Sequence, residues 1–472
     1  MGQALDHLFH PGAVAVVGAS QDPTKAGFQY VQVLQEHEFR GPIYPVNSRG
    51  QDVLDLPGYS SLLEIQGPVD YVICCIPARS VLRLIDQCAK KGVRAIQFFT
   101  GRFSETGRVE ERELERQLLE RAREAGIRVL GPNCMGIYYP REGLAFKPMA
   151  REPGPVGILS QSGGNLVELA YTAGLRGIRF SKMVSYGNAI DVNEADLLEY
   201  FANDPETEVI GAYIEGVRDG PRFASALSRA TANKPVVILK GGRTTAGHQA
   251  VRSHTASLAG AQAVWRALAK QTGAVLVETL EELVDMLVAF RFAPPATGRR
   301  VGVVGGGGGR AVESADVCEE AGLRLEPIPE GLRHDFKGLA PDLWDWVGNP
   351  ADGSVLAGSP LTEGVVLEMM GTRPEYDILI GNVGEFWFLD RPQGIERARE
   401  VVTHFVRVAG GTRKPVAIVL GDSVADSDWR TDVLKEFRAQ IAAAGAMQFP
   451  SVRRAAMALS RLVAYYRSCS VP

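Results

Sequence analysis

The chain has no surplus of basic residues, no long uninterrupted apolar run and no paired cysteine spacing, and each absence removes a class of function. Its 51 Lys and Arg against 55 Asp and Glu leave a formal net charge of −4. That balance lacks the basic footprint needed to neutralise a phosphate backbone, so nucleic acid is not an expected partner. No stretch of about 18 residues is both apolar and free of charge, and no secretory signal is present, which argues against a membrane span and places the protein in the cytoplasm. The six cysteines (Cys74, Cys75, Cys88, Cys134, Cys318 and Cys469) show neither C-x-x-C spacing nor neighbouring histidine pairs. A structural zinc site is therefore not expected, and no metal ligand is assigned to this chain. What is present is a globular composition, 45% hydrophobic and 22% charged over 472 residues, long enough for two to four domains.

From the N-terminus, Ala13-Val14-Ala15-Val16-Val17 is a continuous apolar run, as expected of a parallel strand covered on both faces, and it ends in Gly18-Ala19-Ser20. Gly18 lets the backbone approach a ligand, and a helix opening near Gly27 would direct free N–H groups toward an anion. Further strands are read at 42–46, 71–76, 95–99 and 127–130, with helical runs at 80–91 and 110–125 between them. This βα alternation predicts a doubly wound, Rossmann-like sheet over residues 1–140. Two marks of a nicotinamide site are missing: Ser20 stands where G-x-G-x-x-G needs its second glycine, and the second strand ends in Asn47 rather than an acid. A nucleotide with a ribose phosphate, such as coenzyme A, suits the neutral and basic side chains Lys25, Asn47, Arg49 and Arg79 better.

A second domain is predicted over residues 151–292. After the break at Pro153-Gly154-Pro155, the strand Val156-Gly157-Ile158-Leu159 runs into Ser160-Gln161-Ser162-Gly163-Gly164 and a helix, which puts Ser160 or Ser162 near an N-cap. The strand 209–214 ends in Glu215, at the strand end that faces the ligand crevice of an open α/β sheet. Past the strand 235–240, the segment Ser253-His254-Thr255-Ala256-Ser257 precedes a helix marked by Ala261, Val264, Trp265, Leu268 and Ala269. One imidazole among small hydroxylated residues at a helix start is suited to carry a phosphoryl group as a phosphoramidate, so His254 is read as a phosphate carrier. Glu215 is expected to hydrogen-bond its ring N–H and hold the tautomer.

A third domain is predicted over residues 298–472. Arg300-Val301-Gly302-Val303-Val304 is a strand closed by five glycines, Gly305 to Gly309, before another helix. That turn would present unobstructed N–H groups to a phosphate. Strands at 378–380 and 416–420 continue the α/β pattern, and Trp344, Trp346 and Trp387 are assigned to core or interfaces.

Taken together, Val17-Gly18-Ala19-Ser20, Gly131-Pro132-Asn133-Cys134-Met135-Gly136, Ser160-Gln161-Ser162-Gly163, Val184-Ser185-Tyr186-Gly187-Asn188, Tyr213-Ile214-Glu215-Gly216, Leu239-Lys240-Gly241-Gly242-Arg243, Ser253-His254-Thr255 and Gly348-Asn349-Pro350-Ala351-Asp352 form an ordered series. It resembles the nucleoside-diphosphate-forming acyl-CoA synthetases, in particular the alpha subunit of the ADP-forming acetate–CoA ligase type, with succinyl-CoA synthetase as a relative. The resemblance implies three Rossmann- or flavodoxin-like domains. It implies coenzyme A on Gly18, Ala19, Ser20, Lys25, Asn47, Arg79 and Asn133, and a phosphorylated His254 steadied by Glu215. Two helix N-termini would flank that phosphate, at Ser160, Ser162 and Gly163 and at Gly307, Gly308 and Gly309. The implied reaction makes acyl-CoA, ADP and phosphate from a carboxylic acid, ATP and coenzyme A through an acyl phosphate.

No ATP-grasp region is recognisable, so the resemblance also implies a separate ATP-grasp beta subunit that brings ATP/ADP and Mg²⁺, in an α2β2 or αβ assembly. Three positions depart from the family pattern: Ala256 and Arg102 stand where glycine is usual, and Ser48 where proline is. These departures leave open a second reading, a CoA-binding regulatory or scaffold protein of the same fold with altered catalysis.

Overall fold

The computed structural model describes residues 5–247, 249, 261–390, 392–421 and 428–469. The fold is α/β, with three sheets in which parallel pairing dominates. The chain divides into two compact units, Met1–Tyr171 with Arg179–Leu280, and Thr172–Ile178 with Glu281–Pro472. The first unit holds two of the sheets and the second unit holds the third.

In the first sheet, strands β1 (Val14–Val17), β2 (Ile43–Val46), β3 (Tyr71–Cys74), β4 (Ala95–Phe98) and β5 (Arg128–Leu130) lie in the order β2-β1-β3-β4-β5, all parallel. All residues of β1, β3 and β4 are buried, because helices cover both faces of a parallel sheet. The helix Val81–Lys91 shows how the sequence specifies that cover. Val81, Leu84, Ile85 and Cys88 recur on one face and are buried, and the helix stops at Gly92, which takes φ 76° and closes onto Ala89 and Cys88 carbonyls.

The second sheet contains β6 (Gly136–Tyr138), β7 (Val156–Ser160), β8 (Phe180–Ser185), β9 (Val209–Ile214), β10 (Val236–Lys240) and β11 (Val275–Val277), in the order β11-β10-β9-β7-β8-β6. Its two edge strands escaped the sequence reading. Each is three residues long, too short for a periodic signal, and β6 pairs antiparallel with β8 in an otherwise parallel sheet.

The segment before β6 and the segment after β8 tie the first two sheets together. Beyond β8, the N–H groups of Asn188, Ile190 and Val192 donate to the carbonyls of Pro132, Gly131 and Val129 at 3.0–3.1 Å. Asp191 accepts from the Arg128 guanidinium at 2.8 Å and from the Val129 N–H at 2.9 Å. The Asn188 amide donates to Glu105 at 2.7 Å. This seam leaves no room for a side chain at Gly187, where an added Cβ would stand 2.2 Å from the Pro132 carbonyl oxygen and φ is +53°. Nearby, the helix Glu194–Asn203 starts in a capping box between Asn193 and Asp196 and puts Glu194, 2% exposed, in its first turn. Burial pushes the Glu194 carboxyl up to about 7, against the pull of backbone N–H groups and of Arg218.

In the second unit, β12 (Arg300–Gly305), β13 (Arg324–Leu325), β14 (Ile378–Asn382), β15 (Val416–Val419) and β16 (Met447–Phe449) form a parallel sheet in the order β13-β12-β14-β15-β16. One face of it packs a core that includes Phe336, Leu367, Met370, Phe405 and Phe437. A buried carboxylate, Asp285, takes Arg176 at 2.6 Å and Arg454 at 2.7 Å. Of the three tryptophans assigned to core or interface, Trp344 packs against this core. Trp346 and Trp387 do not, being 78% and 66% exposed. The described cysteines are all free thiols, and four of them are buried. Among the described residues no helix is long and apolar enough to cross a membrane.

Two predictions follow from the first unit. Gly187→Ala should destabilise the protein by about 2–4 kcal/mol in urea unfolding, because the methyl group meets backbone rather than a movable side chain. For Glu194 the folded-state pKa is the higher one, so its contribution is present at low pH and is lost as pH rises through about 7. Glu194→Gln should therefore match the wild type below about pH 4.5 and exceed its stability above pH 7 by up to about 3 kcal/mol, read as a growing gap in melting temperature.

Candidate active site

Of the residues singled out in the second domain, Ser160, Ser162, Gly163 and Glu215 lie at the carboxyl ends of β7 and β9. Ser162 caps the helix Gly163–Gly174, its Oγ accepting the Asn165 N–H at 3.3 Å. Ser160, at the end of β7, is 1% exposed and donates to the Ser162 carbonyl at 2.7 Å, so its hydroxyl braces the turn. Gly163 is a glycine for want of space, since an added Cβ would stand 2.4 Å from Met135 Cγ. Met135 is in turn held there by the Ser185 hydroxyl, which accepts its N–H at 3.1 Å.

Glu215 follows β9 and is 3% exposed. Its backbone is gripped from both sides. Gln161 Oε1 accepts the N–H of Glu215 and that of Gly216, the latter at 2.9 Å, while the Lys240 ammonium donates to the Glu215 carbonyl at 2.8 Å and to the Gly241 carbonyl. The Tyr213 hydroxyl donates to the Glu215 carboxylate at 3.1 Å, and burial together with that negative charge raises the Tyr213 pKa. Burial lowers Lys240 to about 8, with the Glu215 charge opposing the shift. A Cβ on Gly241 would lie 2.6 Å from the Tyr213 hydroxyl and 3.2 Å from Glu215 Cγ, so only glycine leaves these groups where they are. Tyr186, fully buried just beyond β8, has a hydroxyl with no hydrogen-bond partner among the described residues.

Gln161, Tyr213 and Lys240 are members of this cluster that the sequence does not mark as site residues. The signal for Lys240 was there: a lysine continuing the apolar run Val236-Val237-Ile238-Leu239 is a cation carried into a buried strand end. His254 lies outside the described residues, as does Ala256.

At the carboxyl ends of the first sheet, Gly18 follows β1 with φ +94°, and a Cβ there would stand 2.9 Å from the Cys75 carbonyl carbon. The helix Ala26–Glu36 packs its own start onto this turn, Gly27 lying so close to the Gly18 carbonyl that a Cβ would be 2.0 Å away. Lys25 occupies the N-cap of that helix, and no side chain caps its N-terminus. Ala19 is buried and Ser20 turns back to accept the Asp22 N–H at 3.1 Å. Arg79 is exposed in the short helix after β3. Asn133, at φ +57°, follows β5 and donates its N–H to Thr100, which follows β4. The Asn47 side chain closes its own loop, donating to the Gln51 carbonyl at 2.7 Å and accepting the N–H groups of Arg49 and Gln51. Arg102 holds φ +74°, a conformation glycine adopts freely.

The glycine run of the second unit closes β12. Gly305 takes φ +101°, and a Cβ on it would stand 1.9 Å from the Asn382 carbonyl oxygen. Gly307 is the N-cap of the helix Gly308–Glu320, with no side-chain cap, and the indole of Trp387 lies over it. Gly308 faces Asp352, whereas Gly309 meets nothing within 4 Å. Among the described residues no group of three or more His, Cys, Asp or Glu could hold a metal ion.

Comparison with known proteins places these crevices in a family. Residues 12–140 match the model of the CoA binding domain, and residues 153–290 that of the succinyl-CoA ligase like flavodoxin domain. The chain is 34% identical over 466 residues to the alpha subunit of the ADP-forming acetate–CoA ligase I of Pyrococcus furiosus, covering 97% of each chain. It is 38% identical over 350 residues to the alpha subunit of ligase II of the same organism, covering 74% of this chain and 76% of that one. The solved structure of acetyl-coenzyme A synthetase 1 of Ca. Korarchaeum cryptofilum, in complex with phosphate and ADP, aligns with a TM-score of 0.81 at 30% identity, covering 100% of this chain and 98% of that one. An α/β chain alike in sequence to these alpha subunits over nearly its whole length, and in fold to that synthetase, belongs to the family of ADP-forming acetate–CoA ligase alpha subunits.

Proposed function

We propose that this chain converts a carboxylic acid, ATP and coenzyme A to acyl-CoA, ADP and phosphate, as the alpha subunit of an acyl-CoA ligase, with His254 as the phosphoryl carrier. The observation that supports this reading is the buried Glu215, gripped through both of its peptide groups beside the Ser162-capped start of the helix Gly163–Gly174. A general base or orienting acid must be held still, and here the peptide groups are fixed on both sides while the Tyr213 hydroxyl donates to the carboxylate.

In this reading the Glu215 carboxylate accepts the imidazole N–H of His254. It keeps the other ring nitrogen available to take a phosphoryl group and stabilises the positive charge that the ring gains. The N–H groups at Ser162–Gly163 and at Gly307–Gly309 receive the phosphoryl oxygens at successive stations, each helix start contributing about 0.3–2 kcal/mol. A carboxylate oxygen of the acid attacks the phosphorus carried by His254, the nitrogen–phosphorus bond breaks, and an acyl phosphate forms. The thiol of coenzyme A gives up its proton and attacks the acyl carbonyl, the carbon–oxygen bond to phosphate breaks, and phosphate leaves. Residues 1–140 hold coenzyme A, with its phosphates on the Gly18–Ala19–Ser20 turn and the uncapped start of the helix Ala26–Glu36, near Lys25, Arg79, Asn47 and Asn133. Residues 151–292 carry the histidine, and residues 298–472 supply the glycine-lined helix start. ATP and Mg²⁺ are assigned to an ATP-grasp beta subunit, in an αβ or α2β2 assembly in the cytoplasm.

Two measurements test this reading. When the chain is combined with its ATP-grasp partner and ATP labelled in the γ-phosphate, acid-labile label should appear on the wild type and vanish in His254→Ala. Glu215→Gln should label about 10²-fold more slowly. Label that persists in His254→Ala would remove the carrier. In calorimetry the chain should bind coenzyme A and not NAD, and Gly18→Val, whose side chain enters the Cys75 peptide, should weaken coenzyme A by about tenfold or more.

A further inference from the structure

Lys240 is the last residue of β10, and 2% of its surface is exposed. Its ammonium donates to the carbonyls of Glu215 and Gly241, and the Trp265 ring centroid lies 5.5 Å away. Two carbonyl dipoles and an aromatic face thus surround the charge. Both of these hydrogen bonds go to peptide carbonyls rather than to a carboxylate. Burying a cation in that way is costly, and a methionine would fill the same place at the end of an apolar strand without the cost. The lysine therefore calls for an electrostatic reason.

Glu215 supplies one. A carboxylate is a poor neighbour for an arriving phosphate, because two anions at close range in a buried crevice repel strongly. Lys240 sits on the peptide of that same glutamate and on the next strand end, so its charge offsets the carboxylate where the anion would arrive. It also ties β9 to β10 at the Gly241 turn, from which the chain runs on toward His254.

We propose that Lys240 is the compensating cation of this crevice, the buried charge that lets the Glu215 carboxylate stand beside the phosphoryl group which the reading above brings there. The inference rests on the phosphoryl-transfer reading above, and it makes Lys240 a positioning residue that acts through the Glu215 and Gly241 carbonyls and through its charge.

The test is inorganic phosphate binding to the full chain, followed by calorimetry at constant ionic strength, in parallel with histidine labelling in the presence of the partner. The wild type should bind phosphate, and Lys240→Met should bind it about tenfold or more weakly. Lys240→Arg should recover most of the loss. The double variant Glu215→Gln with Lys240→Met should bind better than Lys240→Met alone, because the repelling carboxylate is gone; a purely structural lysine would give no such recovery. Circular dichroism and melting temperature check the fold of each variant, and Lys240→Gln replaces Lys240→Met should the latter fail to fold.

The proposal is overturned if the wild type binds no phosphate, if the folded neutral variant binds it as the wild type does, or if the double variant shows no recovery. The two readings separate cleanly. Lysine-dependent phosphate binding in a wild type that never labels would sink the histidine carrier and leave the role of Lys240 standing. Normal labelling with phosphate binding indifferent to Lys240 would do the reverse.

Discussion

The peptide groups on either side of Glu215 are clamped, and the chemistry proposed for this chain depends on that clamp. Its N–H goes to the side chain of Gln161 from the neighbouring strand end, and its carbonyl goes to Lys240 from the strand on the other side. Both partners are buried. A buried acid is usually positioned by bonds to its carboxylate, which then has less left to offer a substrate. Here the backbone bears much of the restraint, while Tyr213 also reaches the carboxylate. The cost is a lysine charge in a dry place, which a fold keeps only where something balances it.

The same geometric device recurs at the strand ends of all three sheets. At Gly18, Gly241 and Gly305 a methyl group would enter a backbone carbonyl or a functional side chain, within 1.9–2.9 Å. In each case the glycine brings a strand end against its neighbour, at the edge where an open parallel sheet forms its crevice. Gly187 does similar work between sheets, closing the first onto the second. Close backbone approach thus lines these strand ends with peptide groups, which suits ligands recognised by oriented N–H dipoles rather than by many side chains.

Much of this was legible in the amino-acid sequence because its signals are local. The apolar runs at 13–17, 71–76, 156–159, 209–214 and 300–304 became strands, since a strand covered on both faces must be apolar along its length. Ser162 was readable as a cap and Glu215 as a strand-end acid, because position relative to a strand or helix end is a matter of counting. Gln161 and Lys240 were harder, as their importance comes from partners 54 and 25 residues away. The edge strands β6 and β11, three residues each, carry no periodicity, and β6 exists through its pairing with β8 alone. Trp346 and Trp387 lie outside the core although large aromatics are ordinarily buried, and nothing local marks one that is left exposed.

By itself, then, the sequence determined the fold class, the strands and helices that build it, the glycine turns at their ends and a short roster of polar residues beside those turns. Each of these follows from hydrophobic period, backbone freedom or capping chemistry over a few consecutive residues. Only the tertiary structure decided which roster members share a crevice, which hydroxyl braces a turn, and that Asn47 spends its amide on its own loop. It also decided that a lysine at the end of one strand steadies the glutamate at the end of the next. Those outcomes depend on strand order and on the space left between packed backbones, which no local run of residues encodes.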